Sequence, residues 1–300
     1  MTNIISSDNS DIPLTPAGPV VFLLFDGWGV APLSEANAMT SAKTPCLDGL
    51  IKEYPVALLL AQHKTINARY LSLGAGQDLT EEDFVPAATL SKILANHKLK
   101  QVKITETERL AALTHFFNGH EETRALGEDW KIVSSGAGDH SIKPVLALNR
   151  ISRELVKAIE SEKYNFLVAA APTLDLVAAS GDFKAVKKVV ETIDKHLRKI
   201  VNLVLSKKGT LIISSACGNA EYLKSMATEL VDKNITDNPV PFLIISEEYK
   251  GKTIGLQEPL NNDLSLLVPA GNLGDVGPTI LSIMGLTKPE EMTGVSLFDK

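Results

Sequence analysis

The sequence predicts an α/β fold, a mostly parallel sheet covered by helices on both faces. Three observations carry this. Short apolar runs such as Pro19 to Phe25 and Thr210 to Ser214 stop abruptly at turn or polar residues. Such unbroken runs mark strands buried on both faces rather than on one. Between them lie stretches whose apolar residues recur at helical spacing. Finally, the chain is 44% hydrophobic but only 5% aromatic, so its core must be built from Val, Ile, Leu and Ala.

Met1 to Gly18 is rich in Ser, Asn, Asp and Pro and reads as a disordered tail, leaving 19–300 as one domain. It has neither a basic n-region nor an apolar h-region, so it is not read as a signal peptide. Pro19 to Phe25 is the first strand, stopped by Asp26-Gly27. Thr44-Pro45 reads as an N-cap followed by proline at the first helical position. That helix ends at Tyr54-Pro55, because the residue before a proline avoids helical backbone. Val56 to Leu60 is a second strand. Asn67 to Ala87 is the least regular stretch, with a Gly74-Ala75-Gly76 turn and the acidic group Glu81-Glu82-Asp83, read as a solvated cap or loop.

Leu90 to Lys98 reads as a helix, Val102 to Ile104 as a short strand, and Thr107 to Phe117 as a helix closing at Asn118-Gly119. His120 to Pro144 reads as loop. Ser152 to Lys163 puts Leu155, Val156 and Ile159 on one helical stripe, and Asn165 to Ala171 is a strand. Asp182 can cap a long helix carrying Val186, Val189, Val190, Ile193, Leu197, Ile200, Val201 and Val204. Thr210 to Ser214 and Val240 to Ile245 are strands. Asp275 to Met284 is a terminal helix that Gly285 can end.

Composition excludes several functions. With 30 basic and 36 acidic residues, net charge −6, there is no basic face for nucleic acid and no polybasic run for a membrane surface. No apolar run reaches the ~20 residues needed to span a bilayer. Cys46 and Cys217 are too few and too far apart for a disulfide framework or a zinc pattern, which fits a reducing cytoplasm.

Sites in such sheets form at the carboxyl ends of strands. Asp26 follows the first strand, Asp175 follows the strand ending near Ala171, and Ala216-Cys217 follow the strand ending at Ser214. Two carboxylates at adjacent strand ends could hold Mg²⁺ or Mn²⁺. Equally, Asp26 could serve the turn before Gly27, and Asp175 could cap a helix. Cys217, expected just before a helix start at Gly218-Asn219, is either an activated thiol or a buried space-filler. His115, His120 and His140 with Asp139 fall in one region, but their spacing matches no metal pattern. Gly74-Ala75-Gly76 is not followed by a P-loop lysine and reads as a tight turn.

A resemblance sharpens these readings. Asp26-Gly27-Trp28-Gly29, Asn37-Ala38, Thr44-Pro45 with Asp48, and Tyr54-Pro55 open it. Glu106-Thr107-Glu108, Phe116-Phe117-Asn118-Gly119, Gly127-Glu128-Asp129 and Gly218-Asn219-Ala220-Glu221 follow in order. Asn238-Pro239-Val240-Pro241-Phe242, Asp275-Val276-Gly277-Pro278-Thr279 and Met292-Thr293-Gly294 close it. From Val20 to Phe298 the chain resembles the cofactor-independent phosphoglycerate mutases of the alkaline phosphatase superfamily.

That resemblance implies a phosphatase-like domain with an inserted transferase-like domain, a serine nucleophile and two metals. The insertion is expected to be absent, since only Leu79 to Lys98 occupies its interval. Counting back from Gly74 puts Ile66 at the serine position and Tyr70 at a histidine position, and Thr65 to Leu71 contains no serine. Of the implied metal ligands, Asp26 and Asp175 remain, whereas Ala216, Cys217, Ala179 and Ile235 stand at the other positions. A lysine position holds Arg109, a possible residual phosphate contact, and a further histidine position holds Ala112. The resulting expectation is a pseudoenzyme with no catalytic residue, no cofactor and a protein partner or second copy of itself. The alternative is a Mn²⁺- or Mg²⁺-dependent phosphoryl-transfer enzyme with a rebuilt site.

Overall fold

A computed structural model describes residues 17–135, 145–224, 231–255 and 259–300. Its frame is an eight-stranded sheet, built in chain order as follows. Strand β1 (Val20–Phe25) leads through helices α1 (Ala38–Ser41) and α2 (Pro45–Glu53) to β2 (Val56–Leu60). Helices α3 (Ile66–Ala75) and α4 (Leu90–Asn96) precede β3 (Gln101–Glu106) and β4 (Glu128–Val133). Next come α5 (Leu146–Glu160), β5 (Phe166–Ala171), α6 (Thr173–Ala178) and α7 (Phe183–Ser206). Strands β6 (Thr210–Ser214), β7 (Val240–Ile245) and β8 (Gly271–Asn272) and helix α8 (Val276–Ile283) complete it.

The strand order is β4-β3-β5-β1-β6-β7-β2-β8. Every pair from β4 to β6 is parallel, and β7 runs antiparallel to both β6 and β2. The α/β expectation therefore holds. Strand β1 shows why the apolar run is unbroken. Val21, Leu23 and Phe25 enter the core beneath α2, α5 and α7, while Val20, Phe22 and Leu24 enter the one beneath α3 and α8. The β1, β5 and β6 C-terminal ends lie side by side, with Phe25 level with Ala171 and Leu24 level with Ser214.

Several local expectations are met. Pro45 opens α2, and Tyr54 closes it in extended backbone before Pro55. Thr44 holds the N-cap position, but its hydroxyl donates to Asp48 (3.1 Å) rather than accepting a helix amide. Asp182 caps α7 by accepting from the Ala185 amide, and all eight apolar residues of its expected stripe are buried.

Others are corrected. The stretch 67–87 contains all of α3 but its first residue, not only irregular chain. Helix α3 is buried almost all round, so it lacks the two-faced period that betrays a surface helix. Gly74 belongs to this helix, where an added Cβ would lie 1.9 Å from the Phe117 carbonyl oxygen. Gly76 ends the helix in left-handed backbone, φ 63°. The supposed loop after His120 contains β4, whose Glu-Asp-Trp-Lys-Ile-Val sequence lacks the apolar run of a central strand because β4 is a sheet edge. Residues 107–117 form a 3₁₀ turn at Thr107–Arg109 and a π-helical turn at Ala112–Phe116, not one α-helix. No helix starts at Gly218-Asn219; Gly218 instead bridges Gly27 and Thr236. The 79–98 interval holds irregular chain and α4 alone.

Among the described residues, no helix is long and apolar enough to cross a membrane.

Candidate functional site

The crossover between adjacent parallel strands brings three strand ends together at Asp26, Asp175 and Ala216-Cys217. Asp26 follows β1 and is fully buried. Gly27 follows it at φ 100°, and the turn is pinned by the Gly27 amide donating to the Cys217 carbonyl, 2.9 Å. A side chain at Gly27 would collide with the backbone of Asp175 at 2.6 Å, so only glycine lets these two segments approach. The Asp175 amide in turn donates to the Asp26 carbonyl, 2.9 Å.

The Arg109 guanidinium lies between the two carboxylates. Its Nε donates to Asp26 Oδ2 at 2.7 Å, and one terminal nitrogen donates to Asp175 Oδ2 at 2.6 Å. The remaining acceptors are also engaged. Asp26 accepts from the Tyr70 hydroxyl (2.8 Å) at Oδ2 and from the Ala216 amide (3.2 Å) at Oδ1. Asp175 Oδ1 accepts from Asn219 Nδ2 at 2.9 Å. Asp175 thus does not cap α6 through its side chain.

A second guanidinium, Arg69, is buried alongside. Its Nε donates to the His63 carbonyl (2.7 Å), and one terminal nitrogen donates to the carbonyls of Thr236 (3.1 Å) and Ala216 (3.4 Å). The other terminal nitrogen donates to Asp237 Oδ1 at 3.3 Å. Asp237 is exposed, so only one end of this pair reaches water.

Electrostatics follow from burial. Desolvation pushes the Asp26 carboxyl above its usual value, and the attraction of Arg109 only partly offsets this. Burial opposes charge on Arg109, but Asp26, Tyr70 and Asp175 together hold its proton more tightly than usual. Desolvation raises the Cys217 thiol well above its ordinary range, with Asp175 and Asp26 adding to the effect. A reactive cysteine needs the opposite shift. Burial, with Asp26 adding to it, also raises the Tyr70 hydroxyl.

The other expected positions divide. Ala216 and Cys217 are fully buried beside Asp26. Ala179 lies one turn after Asp175 and is half-buried, as is Ile235 beside Thr236. Ile66 is the first residue of α3, and Thr65 before it caps that helix by accepting from the Ala68 amide, 3.2 Å. The Thr65 hydroxyl also donates to Glu82 at 2.7 Å, which gives the acidic loop a local role. Ala112 is buried in the π-helical turn. His115 and His120 pack edge to face, ring centroids 5.1 Å apart, whereas His140 and Asp139 lie outside the described residues. Among the described residues no three His, Cys, Asp or Glu side chains are grouped to hold a metal ion.

One side chain of the site, Arg69, escapes a reading of the sequence, and the role of another, Arg109, is only half legible there. The sequence of 67–87 carries no helical period that would mark Arg69; as part of a buried helix, its charge beside Ala68 and Tyr70 becomes conspicuous. Arg109 was legible as a cation near the site, but not as the bridge between both carboxylates.

Comparison with known proteins agrees with this frame. A family model described as the metalloenzyme superfamily matches residues 18–288. A 2,3-bisphosphoglycerate-independent phosphoglycerate mutase from Clostridium perfringens is 35% identical over 213 residues, covering 71% of this chain and 39% of that protein. Its counterpart from Gloeobacter violaceus is 37% identical over 210 residues, covering 69% of this chain and 38% of that protein. The chain therefore spans about two fifths of the length of these curated relatives. Among solved structures, a Leishmania mexicana phosphoglycerate mutase superposes with a TM-score of 0.77 at 13% identity, covering 94% of this chain and 98% of that one. TAB5 alkaline phosphatase superposes with a TM-score of 0.61 at 10% identity, covering 91% and 99%. At such identities the two structures speak for the fold alone. The chain belongs to the metalloenzyme superfamily, has an alkaline phosphatase-like fold, and counts 2,3-bisphosphoglycerate-independent phosphoglycerate mutases among its relatives.

Proposed function

We propose that this chain is a phosphoglycerate mutase-like domain that performs no phosphoryl transfer and acts as a binding or structural subunit. The observation that carries this reading is the Arg109 guanidinium between Asp26 and Asp175, at 2.7 and 2.6 Å. In a two-metal phosphoryl site, cations activate the nucleophile and neutralise phosphate charge. The donor set here does not suit such cations. Every oxygen of the two carboxylates already accepts a protein hydrogen bond, and the neighbouring strand end offers Ala216 and a buried thiol. The position counted for the nucleophile is Ile66.

The motifs shared with the mutases hold the fold instead. Buried Glu221 accepts from the amides of Gly29 (3.2 Å) and Asn219 (2.8 Å) and from Asn238 Nδ2 (3.0 Å). Asp275 accepts from the amides of Asn272 (2.7 Å) and Val295 (2.8 Å) and from Lys300 Nζ (2.6 Å), tying down the last segment. Strings that make such bonds stay useful after chemistry is gone.

In this reading the partner is another protein chain or a second copy of this one, met in a reducing compartment such as the cytoplasm. Phe84 and Val85, 47% and 66% exposed in the segment at 79–98, are available to such a contact. The second reading is a Mn²⁺- or Mg²⁺-dependent enzyme with a rebuilt site. It is favoured by the meeting of two carboxylates at adjacent strand ends and by the naming of the relatives as mutases. Turnover of phosphoglycerate and of an aryl phosphate, with and without Mn²⁺, separates the two. The expected result is none above a protein-free control. Metal-dependent turnover that disappears in Asp26→Ala would sink the first reading and establish the second.

A further inference from the structure

We propose that the Arg109 guanidinium is an internal counter-cation, which straps three strand ends together and takes the place a bound divalent cation would otherwise occupy. The inference rests on the non-catalytic reading above and adds the means by which the fold does without metal.

Arg109 leaves the turn after β3 and bonds carboxylates following β5 and β1, and these three strands are neighbours in the sheet. One side chain therefore ties together the ends of three parallel strands. The fork of a guanidinium suits this, since it presents donors in two directions in one plane. Two carboxylates that share no counter-charge repel each other, and both are shielded from water here: Asp26 is fully buried and the Asp175 side chain is 13% exposed. A cation between them relieves that repulsion, and Arg109, itself 8% exposed, is the one supplied by the chain. Tyr70, the Ala216 amide and Asn219 then complete the acceptor shell.

The expectation is a trade. While Arg109 is present, added divalent cation has nothing to bind. When its charge is removed, the carboxylate pair loses its counter-charge and keeps its oxygen donors, and hard oxygen donors favour Mn²⁺ or Mg²⁺. The experiment compares wild type, Arg109→Gln and Arg109→Gln/Asp26→Asn by thermal melting in chelator and in millimolar Mn²⁺, with free Mn²⁺ read by electron paramagnetic resonance. Wild type is expected to melt at one temperature in both buffers. Arg109→Gln is expected to melt lower in chelator, to recover part of the loss in Mn²⁺, and to bind Mn²⁺ at least ~10-fold more tightly than wild type, a melting response that follows from preferential binding to the native state. The double variant is expected to lose the Mn²⁺ response. A folded Arg109→Gln that ignores Mn²⁺ overturns the proposal, and so does a wild-type protein that binds Mn²⁺ at the same carboxylates. If Arg109→Gln does not fold in chelator, refolding is repeated in Mn²⁺. Recovery there supports the proposal and failure in both buffers overturns it. Phosphoryl-transfer turnover by the wild type would instead defeat the non-catalytic reading, so the two failures are distinguishable.

Discussion

Lys103 sits in the middle of β3, fully buried, with its ammonium donating to Asn118 and lying 3.8 Å from Glu128. Desolvation lowers its pKa from 10.5 to about 7, and Glu128 restores only part of the loss. The unfolded chain therefore holds this proton through a range where the native state has released it. Folding stability should rise with pH between about 7 and 10.5 and be flat in this respect below that window. Urea titrations at several pH values should show that slope, and Lys103→Met should abolish it. Glu221 offers a second test. Replacing it with Ala leaves the buried Gly29 and Asn219 amides without their acceptor, which should cost about 3 kcal/mol or more, read as a lower urea midpoint. Single residues of these two kinds differ in legibility. Asp26 and Asp175 could be found because strand ends are where sites form. Lys103 and Arg69 could not, because a lone charge in a sequence does not say whether its partner is water or a buried carboxylate.

At the level of elements, close approach and capping dominate. Gly74→Ala in α3 pushes a methyl group into the Phe117 carbonyl and should destabilise by about 1–3 kcal/mol, since backbone cannot move aside as a flexible side chain does. Asp182→Ala removes the amide acceptor at the start of α7 and should cost about 1 kcal/mol, seen as a melting point a few degrees lower. Strands β1, β5 and β6 and helix α7 were readable because each buries a face whose period or unbroken run is set by its surroundings. Helix α3 was not, because burial on all sides erases the period. Strand β4 was not, because an edge strand tolerates charge. The turns at 107–117 kept a helical period while adopting 3₁₀ and π geometry, a distinction made by tertiary packing.

At the level of the whole molecule, a mostly parallel sheet has one face-to-face core on each side and its crossover ends gathered at one rim. Buried carboxylates such as Glu221 and Asp275 hold backbone amides of the connecting segments, while the rim carries guanidinium groups among its carboxylates. A protein of this kind should be indifferent to chelators, with the same melting point after exhaustive treatment. The sharpest measurement is Mn²⁺ titration calorimetry on protein purified without chelator, with metal content determined on the same sample. Absence of both stoichiometric metal and binding heat is the predicted result. A tight, stoichiometric Mn²⁺ or Zn²⁺ that Asp26→Ala abolishes would contradict it, by showing that the carboxylate pair serves a metal after all.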